Sequence, residues 1–241
     1  MNINKNIIAV IPAYNEENSI GNIILSTKKY VNDIIVYDDG SSDKTSEIAI
    51  KYGAKLITNK KRKGKGTALK ILFKEAIKYK PDIIISIDAD GQHDPSDIPE
   101  LIKPIIYDNL DIIIGSRFLK DSFTDIPSLR NFGLKFINFL HGFLFRLQIK
   151  DTQSGFRAFS NKAFKIVLES NENGYGIESE QLIIAKNEGL KISEVPVFIK
   201  YNDLYKTSKS NFIRHGLEIV LILLKFFFQA KTRTNLSKKH K

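Results

Sequence analysis

The sequence predicts an α/β fold, a mostly parallel sheet flanked by helices, with amphipathic helices toward its C-terminal side. Three observations carry this. Apolar runs of strand length alternate with helix-period patterns through the first half of the chain, as strand-helix-strand units require. Four of those runs end in polar loops, and in open α/β sheets ligands bind beyond the carboxyl ends of the strands. The 241 residues are 42% hydrophobic, enough for one sizeable domain with a full core.

Ile7 to Ile11 read as the first strand, running into Pro12-Ala13-Tyr14-Asn15-Glu16-Glu17. A helix from near Ser19, capped by Asn18 or Ser19, would bury Ile20, Ile23 and Ile24. Ile34 to Tyr37 form the next strand and end in Asp38-Asp39-Gly40-Ser41. The clearest helix starts near Thr67, with Ala68, Leu69, Leu72, Phe73, Ala76 and Ile77 on one face and Lys70, Lys74 and Lys78 on the other. Pro81 stops it before Ile83 to Ile87, a strand that ends in Asp88-Ala89-Asp90-Gly91-Gln92-His93. Ile112 to Ile114 end in Gly115-Ser116-Arg117. Leu134 to Leu147 form a helix pattern with apolar residues around most of its circumference, which suits a core or a membrane interface. Glu178 and Glu180 flank Ser179 at the start of a pattern running through Leu182 and Ile183, and a last amphipathic stretch spans Phe212 to Gln229. The basic tail from Lys231 to Lys241 is expected to lack regular structure.

The absence of cysteine excludes a disulfide framework, a thiolate nucleophile and a zinc-thiolate site. A net charge of +10 points to polyanions: nucleic acid, an anionic membrane surface or phosphorylated substrates. Met1 to Asn6 are too short and polar for a signal peptide, so a cytoplasmic setting is expected. Lys135, His141 and Arg146 interrupt the first long apolar stretch, and Arg214, His215, Glu218 and Lys225 the second. Neither provides the roughly 20 apolar residues of a spanning helix. Both instead suit helices lying in a membrane interface with cations at the headgroups.

Asp88 and Asp90 place two carboxylates at the end of an apolar strand. A hard cation, Mg²⁺ or Mn²⁺, takes such ligands together with substrate phosphates, although Asp-Ala-Asp alone would equally suit a turn. Lys60 to Gly66 set cations beside two glycines before a helix N-terminus, a favourable place for anions. The spacing is not that of a P-loop, and only Lys65 is singled out from the charge run. Arg117, Arg130 and Arg157 offer planar donors for a phosphate, with a structural ion pair the alternative for Arg157.

IPAYNEE at Ile11, DDGSSDKT at Asp38, GKG at Gly64, DADGQHDP at Asp88, GSR at Gly115, DTQSGFRAF at Asp151 and the stretch from Glu178 to Pro196 follow one another in order. Together they resemble glycosyltransferase family 2, most closely its dolichol-phosphate mannose synthase-like branch, over nearly the whole chain. The resemblance implies a GT-A, Rossmann-like catalytic domain over residues 1–230. Its nucleotide-sugar half would cover 1–117, its acceptor and membrane-facing half 118–230, and 231–241 would be the tail.

By the same resemblance, Pro12, Ala13, Tyr14 and Glu16 bind the donor's base and ribose, and Asp38 or Asp39 adds an acceptor. Lys65, Asp88, Ala89, Asp90 and Gln92 complete the donor site. Asp88, Asp90 and Gln92 form the metal set, with Asp90 the direct ligand beside the diphosphate. His93 lines this pocket or is a packed imidazole. Arg117, Arg130, Ser154 and Arg157 would meet an acceptor phosphate, with Gly155 in the same turn. Glu178 or Glu180 would act as general base toward a hydroxyl acceptor or serve the helix dipole; a phosphate acceptor needs no base. Asp90, Arg117, Glu178 and Glu180 are thus the catalytic candidates. Tyr201, Lys206, Ser208 and Lys209 resemble a loop that closes over donor and acceptor.

The function implied is an inverting, metal-dependent transfer of a hexose, mannose or glucose, from GDP-mannose or UDP-glucose to a polyprenyl phosphate. It would take place peripherally at the cytoplasmic membrane face, with room for a separate membrane-protein partner. The rival is the same fold acting on a sugar hydroxyl of a glycan or glycolipid. A non-catalytic module binding nucleic acid or membrane would explain the charge but not the acidic strand ends, and no nucleic-acid partner is expected. A sugar nucleotidyltransferase would open with a glycine-rich loop, which this chain lacks.

Overall fold

The computed structural model describes residues 5–124, 126, 128–199 and 209–239, without side chains for 123, 124, 209–213 and 230–239. Strand β1 (Ile7–Ala13) is followed by α1 (Ile20–Thr27), β2 (Asp33–Asp38), α2 (Thr45–Lys51), β3 (Lys55–Thr58), α3 (Lys65–Ile77) and β4 (Ile83–Ser86). Helix α4 (Ile98–Tyr107), β5 (Ile112–Ser116), β6 (Phe123–Thr124), α5 (Ser128–Phe145) and β7 (Arg157–Ser160) come next. The chain continues through α6 (Phe164–Glu169), α7 (Ile177–Asn187), β8 (Ile192–Pro196), β9 (Phe198–Ile199) and α8 (Lys209–Lys239).

The main sheet has seven strands in the order β3-β2-β1-β4-β7-β5-β8. Every neighbouring pair is parallel except those made by β7, which runs antiparallel between β4 and β5. The isoleucine runs of β1, β4 and β5 are buried, as expected for strands covered on both faces. Alternation along each strand divides the core. Ile8, Val10, Ile35, Tyr37, Ile84, Ile112 and Ile114 pack with α3, α6, α7 and α8. Ile7, Ala9, Ile11, Ile34, Val36, Ile85 and Ile113 pack with α1, α2 and α4.

Two helix starts differ from expectation. Ser19 occupies the N-cap of α1, but its hydroxyl donates to Glu16 Oε2 at 2.9 Å instead of accepting from the helix. Helix α3 begins at Lys65, two residues early, because the loop after residue 170 supplies partners for its first turn. Gly66 and Thr67 amides both donate to the Asn173 carbonyl, at 2.9 and 3.3 Å. These amides, expected to be open to an anion, are therefore occupied. A Cβ on Gly66 would overlap the Glu172 carbonyl oxygen. Gly66→Ala, which ordinarily favours a helix, is thus expected to destabilise the fold by about 1–3 kcal/mol, the scale of overpacking, in an equilibrium urea titration.

Helix α8 continues to Lys239, so it includes most of the tail expected to be irregular. It packs beside α5, where Phe145 and Phe227 meet edge-on at 6.5 Å. Helix α5 buries Leu134, Ile137 and His141. Its other face is open: Leu129, Phe132, Phe136, Phe139 and Phe143 are exposed, Phe132 and Phe143 each to 72%. Leu217, Leu221, Leu224 and Phe228 form a matching exposed stripe on α8. Among the described residues, no helix is long and apolar enough to cross a membrane.

Candidate active site

The site lies at the carboxyl ends of β1, β2, β4 and β5, beside the point where strand order reverses between β1 and β4. Register brings the loops together. Ala13 pairs with Asp38, and Ser86 lies opposite Arg157. The Gly155 turn therefore stands beside the end of β4, and the Ser86 hydroxyl donates to the Gly155 carbonyl at 2.7 Å.

The loop after β1 is laced to the loop after β2: Glu16 N–H donates to Thr45 Oγ1 at 2.8 Å, and Ser42 N–H to Asn15 Oδ1 at 2.8 Å. Both central aspartates are bound to their own surroundings. Asp38 accepts from Ser41 N–H at 2.8 Å and from the Ser46 hydroxyl. Asp39 accepts from the amides of Lys63 and Gly64, each at 2.7 Å, and so fixes the glycine loop. Tyr14 is partly exposed at the rim, with the Arg62 guanidinium 4.3 Å above its ring. Arg62 also donates to the Tyr175 hydroxyl at 3.3 Å, and Tyr175 lies 4.2 Å from the His215 ring on α8.

Carboxylates dominate the centre. Asp88 Oδ1 and Glu178 Oε1 hold Lys65 Nζ between them at 2.7 and 2.8 Å. Burial opposes the lysine's charge, but the two carboxylates outweigh it and raise its pKa. Burial likewise opposes ionisation of Asp88, yet the Lys65 charge keeps its pKa below the usual value. Asp90, whose Oδ1 accepts from Gln92 N–H at 3.0 Å, is pushed up to about 6 by burial and by Asp88. Glu16 is pushed up to about 7 by burial, against the Ser19 hydrogen bond and helped by Asp90 and Asp88. The pocket thus carries more negative charge than Lys65 compensates. A divalent cation fits this donor set. Among the described residues, no cluster of three or more histidine, cysteine or carboxylate side chains forms a ready cage, so phosphate oxygens would complete the shell, as Mg²⁺ and Mn²⁺ commonly allow.

Glu16 carries a pH consequence. Its folded pKa lies above the ordinary 4.5, so the stability it adds is complete below that value and lost as pH rises through about 7. In the metal-free protein, melting temperature is expected to fall less steeply between about pH 5 and 7.5 for Glu16→Gln than for wild type.

The three arginines part company. Arg117 forms a buried bidentate pair with Asp151, Nε to Oδ2 and Nη2 to Oδ1 both at 2.6 Å, and its backbone N–H adds a third bond at 2.9 Å. Burial works against the Asp151 carboxylate, but the Arg117 charge and hydrogen bonds hold its pKa down. Arg157 donates to the carbonyls of Thr152, Ser154 and Glu178 and to Gln181 Oε1, at 2.8 to 3.0 Å. These bonds make it a clamp between the 152–155 turn and the start of α7, and the carboxylates of Glu178 and Asp151 favour its charge against burial. Ser154 is buried in that turn and accepts from Phe156 N–H at 3.3 Å. Arg130 stands in the first turn of α5, where its charge favours ionised Asp90.

Glu180 points away from the carboxylate centre. Its oxygens accept from the amides of Asn171 and Glu172 at 3.0 and 2.8 Å, bracing the loop beneath α3. Ala89 is buried and Gln92 partly buried in the acid loop. His93 is buried against Phe156, with ring centroids 5.1 Å apart. Burial pulls its pKa down to about 4, and its Nδ1 has no hydrogen-bond partner among the described residues. Tyr201, Lys206 and Ser208 lie outside the described residues, as does the side chain of Lys209.

Residues 8–168 match the Glycosyl transferase family 2 description. The chain belongs to glycosyltransferase family 2. This glycosyltransferase is 43% identical over 235 residues to an uncharacterized protein of Methanocaldococcus jannaschii, covering 93% of this chain and 95% of that one. It is 36% identical over 244 residues to the UDP-N-acetylglucosamine–dolichyl-phosphate N-acetylglucosaminyltransferase of Methanococcus voltae, covering 91% and 95%. A dolichyl-phosphate beta-glucosyltransferase of Trichomonas vaginalis is 28% identical over 89% of this chain and 72% of its own. In fold, the glycosyltransferase is similar to glucosyl-3-phosphoglycerate synthase from Mycobacterium tuberculosis, solved with Mn²⁺, UDP and phosphoglyceric acid. The TM-score is 0.75 at 24% identity, over 93% of this chain and 79% of that one. The GT-A architecture expected from the sequence is thereby shown.

Sequence reasoning missed Asp151 as the partner of Arg117, the role of Asn173 under α3, and the Arg62–Tyr175–His215 contacts. The first pair is separated by 34 positions, and no local spacing rule reaches that far.

Proposed function

We propose that this glycosyltransferase moves a sugar from a uridine diphosphate sugar to a polyprenyl phosphate at a membrane surface, with Mg²⁺ or Mn²⁺ bound. The observation that carries the lipid acceptor is helix α5. Its first turn carries Arg130, whose charge acts on Asp90, and from there its exposed stripe of Leu129, Phe132, Phe136, Phe139 and Phe143 leads away, with a second exposed stripe on α8. A small soluble acceptor requires no such surface, whereas an interfacial helix does. Exposed Lys135, Arg146 and Arg214 supply cations for anionic headgroups. The names of the Methanococcus and Trichomonas relatives, both dolichyl-phosphate transferases, support the acceptor, and the former supports a uridine donor.

In this reading Tyr14 and Glu16 receive the nucleoside, and Lys65 faces the diphosphate. Asp90, with Asp88, would hold the cation, which assists departure of the diphosphate as a Lewis acid. An oxygen of the acceptor phosphate, steadied by Arg130, attacks the anomeric carbon from the face opposite the leaving group. The new C–O bond forms as the bond to the nucleoside diphosphate breaks, and that group leaves with the electron pair. The acceptor is already anionic, so neither Glu178 nor Glu180 needs to take a proton.

The test supplies purified protein with Mn²⁺ or Mg²⁺, a short polyprenyl phosphate or an oligosaccharide, and labelled UDP-N-acetylglucosamine, UDP-glucose or GDP-mannose. Label in the lipid fraction from a uridine donor supports the reading. Label on the oligosaccharide alone overturns the acceptor, and use of GDP-mannose alone overturns the base. Phe136→Asp with Phe139→Asp is expected to lower co-sedimentation with anionic vesicles while leaving UDP binding intact, since both side chains are exposed.

A further inference from the structure

Lys65 stands where a cation is needed. Its ammonium contacts Asp88 Oδ1 and Glu178 Oε1 in a pocket whose other carboxylates, Asp90 and Glu16, make the field still more negative. The space is made for it by Gly155, where a Cβ would lie 2.5 Å from Asp88 Oδ2 and 2.7 Å from Lys65 Nζ. The root of the side chain is fixed as well, because the first turn of α3 hangs on the Asn173 carbonyl. The lysine therefore has a fixed base, a fitted channel and two anionic partners on different elements, one in the acid loop and one at the start of α7.

We propose that Lys65 is a placeholder cation that competes with the divalent metal for Asp88, and that Glu178 is the positioning residue that retains Lys65 when the metal takes its place. The proposal rests on the nucleotide-donor reading above and deepens it. Without metal, Lys65 would neutralise Asp88, which it contacts. When metal and nucleotide arrive together, the metal claims Asp88, and the ammonium stays on Glu178 facing the diphosphate. The exchange disfavours metal binding without nucleotide, since the lysine must give up one partner and gains no phosphate in return. With nucleotide present the lost contact is replaced. Metal and nucleotide are thereby coupled through a side chain that touches both. Glu178 is then held by an ammonium and is not the proton acceptor the sequence left open.

The experiment measures Mn²⁺ binding by electron paramagnetic resonance, with and without UDP, for wild type, Lys65→Met, Glu178→Gln and Lys63→Met. Lys63→Met removes the same charge from an exposed neighbouring position and controls for the general field. Lys65→Met is expected to bind Mn²⁺ alone roughly fivefold or more tightly than wild type, within the ordinary range of coupling between sites. The extra tightening produced by UDP should shrink by a similar factor. Glu178→Gln, which leaves the lysine wholly to Asp88, should bind Mn²⁺ alone more weakly, and this conservative variant decides the matter if Lys65→Met does not fold. Unchanged or weaker Mn²⁺ binding in Lys65→Met, an equal gain in Lys63→Met, or unchanged or tighter binding in Glu178→Gln overturns the exchange. If folded wild type binds no Mn²⁺ even with UDP, the donor reading itself fails, a result distinct from the others.

Discussion

Replacing Asp90 with asparagine is expected to lower transfer roughly a hundredfold or more, the loss typical of removing one charged contact to a developing transition-state charge. The substitution is nearly isosteric. Its side-chain oxygen can still accept from Gln92 N–H, so the turn after β4 keeps its shape. What disappears is the carboxylate most exposed to a cation's demand, because Asp88 is already bound to Lys65. The fold should not suffer. Burial and Asp88 push the Asp90 carboxyl up to about 6, so at neutral pH the folded state holds an unfavourable charge that asparagine removes. The expected result is a nearly inactive protein with a melting temperature at pH 7.5 equal to or above that of wild type. A matching fall in melting temperature would instead assign Asp90 a structural role.

Asp151→Asn is expected to have the largest effect on stability, about 3–5 kcal/mol. Both charges of the Arg117–Asp151 pair are buried, with side chains 6% and 0% exposed. Neutralising Asp151 takes from the buried guanidinium the carboxylate that both of its charged hydrogen bonds reach. Such a loss is a large fraction of the 5–15 kcal/mol that holds a typical domain together, and equilibrium urea unfolding at pH 7.5 would measure it. Replacing both partners with apolar residues, Arg117→Met with Asp151→Leu, should recover most of the loss, since desolvation of two ions is then avoided. Recovery should stop short by about 1–3 kcal/mol, because the Arg117 backbone N–H also donates to Asp151 and would lose that acceptor. Asp151 also adds acid sensitivity. Its folded pKa is depressed, so its contribution is present above the ordinary aspartate range and lost as pH falls through the folded value. Glu16 acts in the opposite direction.

The sheet and its acid loop were legible because each central strand is an uninterrupted apolar run that stops at charged residues, as in Ile83 to Asp90. Convergence of Tyr14, Glu16, Asp88 and Asp90 followed from the rule that parallel strands deliver their loops to one edge. The choice between Asp38 and Asp39 was not legible, and the structure shows why: each aspartate ties down a different neighbouring loop, which residue type cannot distinguish. The arginines were read as phosphate ligands because their chemistry allows it. Arg157 instead ties the carbonyls of Thr152 and Ser154 to Glu178 and Gln181 at the start of α7, a fact set by the path of the backbone. Glu178 and Glu180 look equivalent in sequence, yet one faces Lys65 and the other the 171–172 amides. Two positions along a helix turn a side chain through roughly 200°, given 3.6 residues per turn.

The reversed strand β7 bears on the order in which the molecule assembles. Its residues 157–160 fill the gap between β4 and β5, strands made much earlier during synthesis. Until that segment emerges, β4 and β5 each present an unpaired, isoleucine-rich edge, the kind that recruits other chains. A fragment ending before Arg157 would therefore be aggregation-prone even though it contains every donor-side loop. The nascent chain can complete its nucleotide-facing surface only after it has begun the half that faces the acceptor.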